Sequence, residues 1–399
     1  MSFKPTASAV TAALFRRGLA FSLLVGLGAC AQFEGLLPTG QDINDPVGIA
    51  VHPSGRYVYV VNSNFNVQFD VAEGGHLTVI DADTLTATTD EPWHFGSYGA
   101  RVSLGGDDPN MPDSLAVAVR GTGDVQILRV TEDGRRVSCP GGEIPEDCSV
   151  SIGRDPYAVI PVPRQSGINN AIDSWMVASL DGQVTLVSVA NDDPRTSTTA
   201  ARAIQTGANM LAVVPSTGEV LMASRFGTRI YTLAWFLTLE GEAGGVVPAR
   251  SLSLPTPADR VEMRDVAFSS DGERAWLTGQ SPAALYTLDV RPDGQGLARN
   301  TLLSRMDLDG APADLVAIHE QGRDILYVAL ADDEAIAVID GTTGVLLDRI
   351  ELTGLAFGLA WDGVRHQRLY VTLFDTDSIG VIDLNPTSPF FRTVVAVVQ

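Results

Sequence analysis

The side chains best equipped for chemistry in this chain are acids and arginines carried in short loops. FDTDS places Asp375 and Asp377 two residues apart between apolar runs, a spacing that suits a bound cation or a tight turn. LADDEA carries Asp332, GAPAD carries Asp314, and GRDP sets Arg154 beside Asp155. PADRVEMRD adds Arg260, Arg264 and Asp265, SRFGTR adds Arg225, and NDP adds Asp45. The longest loop, SNFNVQFDVAEGG, offers Asn64, Phe65 and Asn66. Charges of both signs can hold a polar ligand, orient a substrate, or simply cap turns. Other chemistry is poorly supplied. His52, His319 and His366 fall just after the same strand in different repeats, with no His-x-x-x-His or His/Cys spacing for a metal. No Gly-x-Ser-x-Gly is present, and no glycine-rich phosphate loop runs into a helix. The sequence assigns no catalytic residue, no metal ligand and no cofactor.

These loops act together only if the fold gathers them. The segment GIAVHPSGRYVYVVN, closed by HLTVIDADT, returns as VAFSSDGERAWLTG, VAIHEQGRDILYVAL and LAWDGVRHQRLYVTL, each with its own closing strand. Weaker copies lie between. Marking the centre of the first strand gives Ala50, Val102, Ala158, Ala212, Ala267, Ala317 and Ala360. Each unit reads as strand, polar turn, strand, loop, strand and an Asp-containing turn, with room for a fourth strand. The second strands, such as RLYVTL and RYVYVV, are nearly all apolar, as a strand covered on both faces requires. The expected fold is all-β: a seven-bladed β-propeller of four-stranded antiparallel blades over residues 45–399. Every blade is expected to be contiguous in sequence, with residues 392–398 as the outer strand of the last. In a propeller, loops leading into first strands and loops joining second to third strands share one face. That face would collect the acids and arginines above around the mouth of a central channel. The Asp of each Val-Ile-Asp, at Asp81, Asp340 and Asp383, belongs to another set of turns and reads as a turn-fixing acid. Trp175, Trp235, Trp276 and Trp361 fall in strands and read as packing between blades.

A family resemblance supports the same fold. Tyr59-Val60-Val61-Asn62, Tyr327-Val328-Ala329-Leu330 and Tyr370-Val371-Thr372-Leu373 resemble the signature of YVTN-type β-propeller proteins, and Val-Ile-Asp resembles that family's next motif. The resemblance spans roughly residues 45–399, clearest in the first and last two repeats. It implies a fold and an extracytoplasmic setting, while functions among such propellers range from binding surfaces to enzymes.

The first thirty residues point to export. Lys4, Arg16 and Arg17 precede GLAFSLLVGLGA, an apolar run too short to span a bilayer. Leu27-Gly28-Ala29-Cys30 resembles the bacterial lipobox. Residues 1–29 are expected to be a signal peptide, Cys30 the lipidated residue, and residues 30–44 the tether to the propeller. Ala31 after the cysteine favours an outer-membrane anchor in the cell envelope. An ordinary signal with an incidental cysteine is the alternative. Cys139 and Cys148, close in sequence, are expected to form a disulfide in an oxidising compartment.

Charge narrows the partners. The chain has 27 basic and 48 acidic residues, a formal charge of −21. Such a surface is a poor match for nucleic acid or anionic headgroups. The membrane is expected to be reached through the lipid anchor alone. The leading expectation is a monomeric, non-enzymatic module binding an envelope protein or small ligand. The rival is a lactonase-like or quinoprotein-like enzyme with its site at the channel mouth.

Overall fold

The strand–turn periodicity folds into seven antiparallel sheets, each built from one continuous stretch of chain. The protein is a seven-bladed β-propeller. The structure, a computed structural model, describes residues 43–63, 74–88, 92–96, 98–105, 113–140, 142, 144–163, 172–190, 193–256 and 260–399. The expected signal peptide, Cys30, and Asn64, Phe65 and Asn66 lie outside the described residues.

The inner strands are Pro46–Val51, Gly99–Gly105, Pro156–Pro161, Ala208–Val213, Met263–Phe268, Pro312–Glu320 and Ala356–Asp362. Each packs beside its neighbours in order, and the last lies against the first, which closes the ring. The second strands are the most enclosed. Tyr57–Asn62 and Ser114–Val119 are buried at every position, so the near-continuous apolar runs are those covered on both faces. Among the described residues the buried apolar side chains form seven clusters, one at each interface between neighbouring blades. Trp175 and Trp276 are wholly enclosed in two of them. A blade therefore gains its core only from its neighbours.

The outer strand of blade 7 is Thr393–Val398, paired with Ser378–Asp383 of the same blade. Among the described residues no strand from the other end of the chain joins it, and side chains hold blade 7 to blade 1. Val58 and Val60 of blade 1 meet Tyr370, Ile379 and Val381 of blade 7 in one cluster, and Arg365 binds Asp83 at 2.6 Å. Ile43 also lies in that cluster, 5% exposed, and the Asn44 N–H donates to Asn62 Oδ1 at 2.9 Å. The packed region thus starts at least two residues before the end of the expected tether.

In blade 2 the outer edge is made of two short strands, Arg136–Ser138 and Ser149–Ser151, both paired with Asp124–Thr131. The Cys139–Cys148 disulfide joins them across a Cα separation of 5.6 Å. Closing a loop this small stabilises the fold by about 2.7 kcal/mol in the chain-entropy picture. Cys148 is fully buried among the side chains between blades 1 and 2.

Candidate functional site at the channel mouth

Every inner strand carries an irregularity near its start, where its pairing with the second strand shifts register. A bulge adds a residue and re-aims its side chain, here close to the channel mouth. The bulged segments hold Val47, Ala100-Arg101, Tyr157, Asn209, Arg264, Ala313 and Phe357-Gly358. Residues from six of the seven blades surround a cavity of about 120 Å³ there. That is room for several waters or a small organic molecule.

Arg101 of blade 2 is the centre of the cavity's electrostatics. Its Nη1 lies 3.1 Å from Asp265 Oδ1 of blade 5 and 3.1 Å from Asp314 Oδ1 of blade 6. Its Nη2 donates to the Arg264 carbonyl at 3.2 Å. Arg101 keeps 32% of its side-chain surface open to the channel, yet the surrounding protein still desolvates its charge. That burial opposes the charge, and the two carboxylates more than reverse it, leaving its pKa above the ordinary arginine value. The other carboxylate oxygens tie blades together. Leu315 N–H of blade 6 donates to Asp265 Oδ2 at 3.2 Å, and Leu359 N–H of blade 7 donates to Asp314 Oδ2 at 2.7 Å. Asn209 plays a similar part between blades 4 and 5, donating from Nδ2 to the Met263 carbonyl at 2.7 Å. Burial raises the Asp265 pKa well above the usual carboxylate range, with Arg101 pulling against that and Asp314 adding to it.

A second group surrounds Tyr157. The Arg120 guanidinium lies 5.4 Å from the centre of the Tyr157 ring and that of Arg225 lies 5.8 Å away, both within cation–π range. Arg120 Nε donates to Asp155 Oδ1 at 2.5 Å, and Arg225 Nη2 to Glu262 Oε1 at 2.6 Å. Arg264 Nη2 donates to the same Glu262 oxygen at 2.9 Å and to Gln280. The Arg264 Nε–H is buried without a hydrogen-bond partner. Burial and the neighbouring Arg225 push the Arg264 pKa below its ordinary value, against Tyr157 and Glu262.

The residues expected at the mouth divide into three kinds. Arg264, Asp265 and Asp314 belong to the first residues of inner strands, not to the loops before them, and Arg264 and Asp314 line the cavity. Asp155 and Arg225 hold cavity-side cations or the ring of Tyr157 in place. Others bind backbone. Asp377 Oδ1 accepts the Asp45 N–H at 2.8 Å, joining blade 7 to blade 1, and Asp375 Oδ1 accepts the Leu355 N–H at 2.6 Å. Arg154, Arg260 and Asp332 are exposed and line no part of the cavity. Among the described residues no three acids, histidines or cysteines are arranged to hold a metal ion.

Sequence reasoning missed Arg101, Arg120, Tyr157, Glu262 and Gln280. Arg101 did carry a signal: a charge inside the apolar strand ARVSL, one residue before the strand-centre marker Val102. Asp265 and Asp314 sit in similar places, so the repeat alignment marked the shell without showing which members meet.

No family model matches this sequence, and no curated protein matches it. Solved structures match in fold. The β-propeller domain of Cps50 (Swd1) from Myceliophteria thermophila aligns with a TM-score of 0.61 at 11% identity, covering 85% of this chain and 96% of that one. Hydrazine synthase from Kuenenia stuttgartiensis gives 0.60 at 13% identity over 88% and 98%. Catalytically inactive virginiamycin B lyase from Staphylococcus aureus, solved with quinupristin, gives 0.57 at 13% identity over 87% and 97%. At such identities the likeness is one of fold, and two of the three carry the names of enzymes.

Proposed function

We propose that this chain is a binding propeller of the bacterial cell envelope, lipid-anchored through Cys30, that holds a small ligand at its channel mouth. The observation that carries the reading is the cavity lined from six blades, in which aspartates act as clamps. Both oxygens of Asp265 and both of Asp314 already accept or pair within the protein. Carboxylates so engaged hold geometry, whereas a general base needs a lone pair facing substrate. The Tyr-Val tetrapeptides agree with a YVTN-type assignment, since Tyr59, Tyr327 and Tyr370 are all buried on second strands. Two measurements test the reading. Native mass spectrometry of the chain purified from its membrane should find a retained small molecule, absent from a Phe357→Trp variant whose larger ring fills the cavity. Equal retention by both would remove the mouth as the site. Palmitate labelling that survives Cys30→Ala would remove the anchor.

A hydrolase or lyase at the same mouth is the second reading, and one observation favours it. Three arginines and the Asp314 carboxylate converge on the cavity, and burial raises the pKa of Asp265 beside it toward the range of a general acid. Turnover of any member of an ester and lactone panel, lost in Asp265→Asn, would establish that reading over the first.

A further inference from the structure

The cavity is lined by two unlike kinds of side chain. Blades 2, 3 and 5 supply Arg101, Arg120 and Arg264 with Tyr157; blades 1 and 7 supply Ile49 and Phe357. Among the lining residues three guanidiniums face one carboxylate, Asp314. Asp265, Asp155 and Glu262, just outside the lining, each pair with one of those guanidiniums. The cations also differ in what they have left to offer. Arg101 already meets its two acids through Nη1 and donates to the Arg264 carbonyl through Nη2. Arg120 donates to protein through Nε alone among its described hydrogen bonds. Arg264 donates through Nη2 to Glu262 and Gln280 and keeps its Nε–H buried without an acceptor. A ligand carboxylate between Arg120 and Arg264 would meet two guanidiniums in a partly desolvated site, where charge-assisted bonds are strongest.

An inorganic oxyanion would use only the guanidiniums. The lining also holds Ile49 and Phe357, whose ring centre lies 5.9 Å from that of Phe374. Apolar surface of this kind is recovered only by an apolar part of the ligand, at roughly 25 cal/mol per Å² buried. Extending the reading of the mouth as a ligand site, we propose that the ligand is a small organic monocarboxylate, with its carboxylate on Arg120 and Arg264 and its apolar body against Ile49 and Phe357.

Titration calorimetry on the full chain tests this with four probes: benzoate, inorganic phosphate, benzylamine and benzyl alcohol. Benzoate is expected to bind, and Arg264→Gln to weaken it by about tenfold or more, the loss of one charge-assisted bond. Phe357→Ala should weaken benzoate while leaving any phosphate binding unchanged. Circular dichroism on both variants checks that they fold, and Arg120→Gln gives a second cation deletion should Arg264→Gln fail to. Phosphate binding as tightly as benzoate would overturn the organic-anion assignment, as would benzylamine or benzyl alcohol matching it. In those cases loss of the probe in Phe357→Trp still upholds the mouth as a ligand site. Binding of none of the four probes would overturn the assignment. If crystals soaked with the same probes also left the mouth empty, the reading of the mouth would fall with it.

Discussion

Aspartates on the two faces of this propeller do opposite work with the same side chain. On the other face the Asp that ends each Val-Ile-Asp serves its own loop. Asp81 accepts the N–H groups of Asp83 and Thr84, Asp340 those of Thr342 and Thr343, and Asp383 that of Asn385. At the channel mouth the partners are far away in sequence. Asp265 reaches a backbone 50 residues on, Asp314 one 45 residues on, and Asp377 one 332 residues away. A local acid shapes one hairpin, whereas a mouth acid fixes one blade against the next and positions a cation at the cavity. Loss of the first kind should loosen a turn; loss of the second should loosen the ring.

The largest expected effect belongs to Asp314→Ala. It removes a partner of Arg101 and leaves the Leu359 N–H without an acceptor, at a cost of about 3 kcal/mol in urea unfolding. Asp314→Asn keeps an acceptor for that N–H and should lose roughly half as much. Asp340→Ala should cost about 1 kcal/mol, because solvent can reach the freed turn amides. A loss at Asp340 as large as that at Asp314 would break the distinction between the faces.

The effect of pH separates the two sets by sign. Hydrogen bonds from Arg291 hold Asp289, at the end of a third strand, down to about 2 against an ordinary value of 3.8. Its contribution is complete above that ordinary value and is lost as pH falls toward 2, amounting to no more than about 1 kcal/mol for a pair so near solvent. Asp265 runs the other way. Its raised pKa favours the protonated folded state, so its contribution is complete below the unfolded pKa and declines as pH rises through the folded one. Urea midpoints across the acid-to-neutral range should show Asp289→Asn flattening the acid limb and Asp265→Asn flattening the decline toward neutral pH. The same response from both would erase the contrast. Smallest of all, Asp332→Asn at an exposed loop position should change stability by under about 0.5 kcal/mol, checked by the same unfolding curve.

Much of the fold was legible because its determinants are local. Seven repeats, their apolar second strands and the contiguous last blade follow from alternation and turn residues within a few positions of one another. The turn acids were legible for the same reason, as an Asp bonding two or three residues ahead needs only its own loop. The candidate site was half legible. Arg264, Asp265 and Asp314 were named with the correct face, but as loop residues, because a bulge is decided by strand pairing and not by the residue that bulges.

By itself the sequence determined the all-β repeat, the blade count, the pairing of Cys139 with Cys148 and the turns closed by Asp81, Asp340 and Asp383. Ring closure decided the rest. Only there do Arg101 of blade 2, Asp265 of blade 5 and Asp314 of blade 6 meet across a channel. Only there does Arg264 come to lie buried with a donor unsatisfied. Contacts between blades depend on how seven sheets share one axis, and no spacing along the chain encodes that distance. Asp375 and Asp377 show the same division: two acids in one short loop, one bound within its blade and the other to the blade that closes the ring.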